Sequence, residues 1–136
     1  MNDNLGDGFA QFLTDSLSNL LMFSQGAAHV CMSSSKLHTL YNAFIAAGGK
    51  WSTFIIWAKN TFTLGRADYQ RQYEPILYGW NTDKPHYWCG DRDQADVWEY
   101  NKPVKNDLHP TMKPMELVER AIVNSSKPGD IVLDGF

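Results

Sequence analysis

The feature that most constrains this chain is a switch of hydrophobic period, repeated through its first half. Phe9, Phe12, Leu13, Leu17, Leu20 and Leu21 recur at three- and four-residue steps, which predicts an amphipathic helix from about Gly8 to Phe23. The short apolar run Ala27-Ala28-His29-Val30-Cys31-Met32, preceded by Gly26, predicts a buried strand. Ser33-Ser34-Ser35 then offers a helix start, Leu37, Leu40, Tyr41, Phe44 and Ile45 form one face, and Gly48-Gly49 ends it. Trp51-Ser52-Thr53-Phe54-Ile55-Ile56-Trp57 is rich in β-branched and aromatic residues, hence a strand. Helix, strand, helix, strand in that order predicts an α/β fold with a mostly parallel sheet flanked by helices.

Further along, Lys59 to Tyr73 reads as a loop or short helix, and Pro75-Ile76-Leu77-Tyr78-Gly79-Trp80 as another strand. Residues 81–108 are polar, carry Pro85 and Pro103, and predict a long excursion with one short strand at Asp96–Tyr100. After Pro114, Met115, Val118, Ala121 and Ile122 mark a last helix, with Glu116 in its first turn. Lys127-Pro128-Gly129 is a turn, and Asp130-Ile131-Val132-Leu133-Asp134 predicts a final buried strand.

Composition sets the outer bounds. With 136 residues, 43% hydrophobic and 20% charged, the chain suits one modest globular domain and excludes disorder. No apolar run approaches the ~20 residues needed to span a bilayer, and MNDNLGDGF lacks the layout of a signal peptide, so a cytoplasmic setting is expected. Cys31 and Cys89 show no metal-ligand spacing, and His29, His38 and His86 add none, so no metal and no disulfide scaffold are expected. The net charge of −3 does not advertise a nucleic-acid binder. Its distribution is more informative. Residues 1–35 hold no Lys or Arg, whereas Lys50, Lys59, Arg66 and Arg71 arrive together. All five tryptophans and five of the six tyrosines also lie between Trp51 and Tyr100. That mixture suits a surface that holds phosphates and stacks on bases, and it equally suits an aromatic core.

Two motifs near the end carry chemistry. His109-Pro110-Thr111-Met112-Lys113-Pro114 stands immediately before a helix. Gly129-Asp130-Ile131-Val132-Leu133-Asp134-Gly135-Phe136 reads as a strand ending in an acid and a glycine. Open α/β sheets bind ligands beyond the carboxyl ends of their strands, so Asp134 is placed to meet a small polar ligand and Gly135 to allow close approach.

This pair resembles the amino-group DNA methyltransferases, which methylate the exocyclic nitrogen of adenine or cytosine. In their permuted arrangement HPTxKP and its helix precede a strand reading GDxVLDPFxGSG, a pattern matched from His109 to Phe136 with Gly135 in place of the usual proline. Trp57-Ala58-Lys59-Asn60 is similar to the family's WxK, and Tyr73-Glu74-Pro75-Ile76-Leu77-Tyr78-Gly79 to its YEPILYG strand. The adenine-modifying, phage- or prophage-type members of restriction-modification systems look most similar.

The resemblance implies a partial Rossmann-like methyltransferase domain over residues 1–136, running from after the catalytic loop through the first half of the cofactor-binding strand. It implies S-adenosylmethionine as cofactor, with His109, Thr111, Lys113, Asp134 and Phe136 as its binding residues. Asp134 would face the methionine amino group, and Thr111 and Lys113 its carboxylate. It implies double-stranded DNA as partner and an adenine base flipped from the helix. Lys59, Arg66 and Arg71 become candidates for phosphate contacts, and Tyr69, Tyr73 or Trp80 for stacking. Glu74 is expected to orient Arg66 or Arg71, or to form an ordinary surface ion pair.

The departures are equally specific. No DPPY, SPPY or NPPY tetrapeptide occurs, and no glycine run follows Phe136. These residues alone are therefore expected not to methylate DNA, and no catalytic residue is assigned. The strand at Ile131–Asp134 would also want a neighbour, which leads to an expectation of an exposed edge favouring a homodimer or aggregation. The alternative is a non-catalytic remnant acting as a DNA-binding or interaction module. A nucleotide-binding domain of another kind is disfavoured, because no GxGxxG loop is present.

Overall fold

Leu13, Leu17 and Leu21 follow one another at four-residue steps and form the buried stripe of α1, Phe9–Phe23. The structure, a computed structural model, describes residues 6–103 and 112–135. Ser24 turns extended (φ −85°, ψ 142°) to end α1, which has no basic residue in its own last turn. The cation comes from elsewhere: Lys84 Nζ donates to the carbonyls of Leu21 (3.2 Å), Met22 (2.7 Å) and Ser24 (2.9 Å). Carbonyls at the helix end thereby meet a positive charge, the Leu21 carbonyl accepting also from the Asn81 amide at 3.1 Å.

β1 (Ala27–Cys31) leads through α2 (Leu37–Ala46) into β2 (Gly49–Thr63), and β3 (Arg71–Asn81) and β4 (Val97–Glu99) follow before α3 (Met115–Ser125). Gly48 takes φ +89° between α2 and β2, a left-handed conformation open to glycine at little cost. The Phe44 ring lies so close to Gly79 that a Cβ there would come within 2.7 Å of it, and within 2.5 Å of the Lys50 carbonyl.

The strand order is β1-β3-β2-β4. β3 pairs antiparallel with both β1 and β2, and β4 pairs parallel with β2. Three of the four described strands therefore share one direction, as the alternation predicts. Because the reversed β3 sits between β1 and β2, two of the three ladders are nonetheless antiparallel, and the sheet is mixed rather than mostly parallel in its pairing. The physical reason is the short link of residues 64–70, which returns β3 directly beside β2.

α1 and α2 cover one face, where Leu13, Leu17, Leu21, Ala28, Leu40, Ala43, Phe44 and Leu77 form one core cluster. The other face packs Ile55, Trp57, Ile76, Tyr78 and Trp98 against Leu117 of α3. This is a layered α/β arrangement. α3 is tied down by Asn124, whose amide exchanges hydrogen bonds with Gln94 (2.9 and 2.8 Å), and by Arg120, which lies 4.6 Å from the Trp98 ring centre.

Two further expectations are corrected. Residues 59–73 are no loop or short helix: β2 continues to Thr63 and β3 starts at Arg71, so a hairpin projects from the sheet. Asp130–Asp134 is not a buried strand. Residues 131–135 join no ladder among the described strands, and Ile131 is 95% exposed, with Val132 and Leu133 also exposed. An apolar run becomes a strand only where a neighbour supplies hydrogen-bonding groups, and neither β1 nor β4 pairs with it. The turn before it forms as expected, with Gly129 at φ +95° and the Asp130 N–H donating to the Lys127 carbonyl (3.0 Å).

Candidate active-site edge of the sheet

β1, β2 and β4 run in one direction, so their carboxyl ends meet at one edge, the edge where open α/β sheets gather ligands. On the α3 face of that edge, Trp57 of β2 stands opposite Glu74 of β3 in register. Trp57 is buried, its Nε1–H donating to the Tyr100 carbonyl at 2.8 Å. Lys59 lies two residues on and hence on the same side of the strand. Its Nζ sits 4.4 Å from the Trp57 ring centre and 3.3 Å from Glu74 Oε2. From the segment leading into α3, Lys113 Nζ reaches the other oxygen, Glu74 Oε1, at 2.5 Å and lies 5.9 Å from the Trp57 ring.

One carboxylate thus bridges two ammonium groups over an indole face. The side chains are only 15% (Lys59), 19% (Glu74) and 28% (Lys113) exposed, so the pairs are sheltered from the screening that weakens surface bridges. Two positive charges against one negative leave this edge able to receive an anion. Cys31, at the end of β1, feels the same cluster. Burial pushes its thiol above the ordinary cysteine range; Lys113 pulls the other way and Glu74 adds to the rise.

The sequence candidates are brought to different places. Lys113 and Lys59 share Glu74. Glu74, expected to orient Arg66 or Arg71 or else to form an ordinary surface ion pair, instead pairs with the two lysines in a sheltered cluster. Arg71 has its own tether, Nη1 donating to Ser33 Oγ at 3.1 Å just past β1. Arg66 and Tyr69 are at the tip of the hairpin, where Tyr69 is 92% exposed. The tip is shaped by Gln70, which accepts from the Gly65 N–H (2.7 Å) and donates to the Ala67 carbonyl (2.7 Å). Tyr73, next to Glu74 on β3, points to the opposite side and is part-exposed. Trp80 is at the other end of the sheet, stacked on His86 at 3.5 Å.

Asp134 follows the exposed run Ile131-Val132-Leu133. Its neighbours Leu133 and Gly135 line a hollow of about 310 Å³ with Phe12, Ser16, Asn19, Leu20 and Phe23 of α1. His109, Thr111 and Phe136 lie outside the described residues. Among the described residues no cluster of His, Cys, Asp and Glu could hold a metal, and no helix is long and apolar enough to cross a membrane.

Comparison with known proteins gives these elements a family. A DNA methylase family profile matches residues 12–136. The type II methyltransferase M2.DpnII of Streptococcus pneumoniae is 32% identical over 122 residues, covering 76% of this chain and 46% of that protein. M2.MboI of Moraxella bovis is 30% identical over 89 residues, covering 62% of this chain and 28% of that one. The chain thus spans less than half the length of these curated relatives. The crystal structure of an M1.HpyAVI–SAM complex shares the fold with a TM-score of 0.73 at 20% identity, over 93% of this chain and 65% of that one. The α/β sheet with its one reversed strand is accordingly part of a Rossmann-like methyltransferase fold, and the chain belongs to the amino-group (N6/N4) DNA methylase family.

Proposed function

We propose that the protein carrying this chain transfers a methyl group from S-adenosylmethionine to the exocyclic amine of a DNA base, adenine N6 by preference. The observation that carries this reading is the placement of Lys113, from the family's HPTxKP motif, in an ion-paired cluster at the carboxyl edge of a methylase-fold sheet. The residues fit the cofactor by the chemistry of their groups. An ammonium of Lys113 suits a carboxylate, and the Glu74 carboxylate and the Trp57 face hold that ammonium in place. When bound, S-adenosylmethionine would supply an electrophilic methyl on sulfur, leaving as the neutral thioether.

The chain's own residues then divide the work. Lys113, with Thr111 and His109 before it, would hold the amino-acid end of the cofactor, and Asp134 and Phe136 would contribute from the strand motif. Lys59 supports Lys113 through their shared carboxylate rather than contacting phosphate. Arg66 and Tyr69, presented on the hairpin tip, would meet the DNA backbone and an unstacked base, with Arg71 and Tyr73 nearer the sheet. No DPPY-type loop occurs in residues 1–136, and no residue of the chain is assigned to orient the target amine.

The test is methyl transfer from tritiated S-adenosylmethionine to unmethylated duplex DNA, followed by nucleoside analysis. Label in N6-methyladenine is the expected result. Label in N4-methylcytosine would move the base assignment, and absence of label from both would overturn the reading.

A further inference from the structure

Glu74 stands out because both of its carboxylate oxygens are engaged by cations from different parts of the fold. Oε2 meets Lys59 of β2, and Oε1 meets Lys113, which belongs to no sheet strand. An ordinary surface bridge ties one flexible side chain to another. Here the carboxylate is fixed on β3, which pairs on both sides, and is followed by buried Pro75, whose carbonyl accepts from the Met32 N–H at 3.2 Å. Lys59 is itself held against the Trp57 face. The rigid partner is the sheet, and the element being placed is Lys113.

We propose that Glu74 is a positioning residue: it fixes the Lys113 ammonium at the carboxyl edge of the sheet so that it meets the carboxylate of the bound methyl donor. This rests on the reading of the site as an S-adenosylmethionine site. A lysine ammonium is a point charge on a flexible four-carbon stem, and ordering that stem costs entropy at binding unless it is already ordered. Glu74 supplies that order beforehand. It also lets two like charges lie close together, since without it Lys59 and Lys113 would repel and Lys113 would swing outward. The second ammonium prevents the carboxylate from cancelling the site, because the cluster keeps one net positive charge for the ligand.

The experiment compares equilibrium binding of two ligands that differ at the relevant end. S-adenosylhomocysteine carries the amino-acid carboxylate; 5′-methylthioadenosine carries the same nucleoside without it. In the protein carrying this chain, Glu74→Gln is expected to weaken S-adenosylhomocysteine about tenfold and to leave 5′-methylthioadenosine within about twofold. Glu74→Asp, which keeps the charge on a shorter arm, should recover part of the loss. Lys113→Met should weaken S-adenosylhomocysteine similarly, and the double substitution should add little to either single one. Equal weakening of both ligands by Glu74→Gln would show a merely structural role and overturn the proposal. So would unchanged binding of S-adenosylhomocysteine. Failure of the unsubstituted protein to bind either ligand would instead overturn the functional reading on which the proposal rests.

Discussion

His29 gives the sharpest test of how the α3 face is held. It lies on β1 opposite Tyr78 of β3, with ring centres 5.0 Å apart, beside a cavity of about 90 Å³ also lined by Thr53, Asp96, Trp98 and Asn124. Burial disfavours the imidazolium and pushes His29 down from 6.5 to about 4. Between those two values the unfolded chain holds a proton that the folded chain does not. Stability from this group is therefore complete above pH 6.5 and is lost as the pH falls toward 4. Integrated from pH 7 to pH 5, the linkage removes ~2 kcal/mol, a substantial part of a small domain's stability. The assay is urea unfolding of the chain and of His29→Gln at both pH values. Every other ionisable group is common to both proteins, so the difference between the two pH losses isolates His29. The variant should lose ~2 kcal/mol less than the unsubstituted chain over this interval. Equal losses would refute the reasoning and show His29 to be solvated through the cavity.

Other substitutions probe the packing and the tip of the β2–β3 hairpin. Gly79→Ala would drive a Cβ against the Lys50 carbonyl and the Phe44 ring, and a fall of about 3 kcal/mol in urea unfolding stability is expected. Lys84→Met removes the cation from three carbonyls at the end of α1 and should cost ~1–2 kcal/mol by the same measurement. Tyr69→Ala should leave the melting temperature unchanged and weaken DNA binding about tenfold in an anisotropy titration, given the exposure of that ring. Arg66→Ala should weaken DNA binding regardless of sequence and lower the slope of log affinity against log salt by about one contact.

How much could be read beforehand depended on the kind of force at each position. α1, β1 and α2 were legible because Leu13, Leu17, Leu21, Leu40 and Phe44 show the period of the faces they bury. The outer part of the β2–β3 hairpin was not, because Asn60, Arg71 and Gln72 give a solvent-facing ladder no hydrophobic pattern, and pairing rather than burial makes it a strand. The reverse error fell on Ile131-Val132-Leu133, where composition announces a strand and no ladder partner is present among the described strands. Lys113 could be picked out by its motif. Its partner could not, because Glu74 and Lys113 are far apart in sequence and meet only when β3 and the segment before α3 converge on Trp57.

The most direct test of the account is a crystal structure of the protein carrying this chain, grown with S-adenosylhomocysteine. The amino-acid carboxylate is expected within hydrogen-bonding distance (~3 Å) of Lys113 Nζ, with Glu74 still bridging Lys113 and Lys59. A carboxylate seated elsewhere, with the Lys59–Glu74–Lys113 cluster untouched, would contradict the assignment of this edge as the site of the methyl donor's amino-acid end.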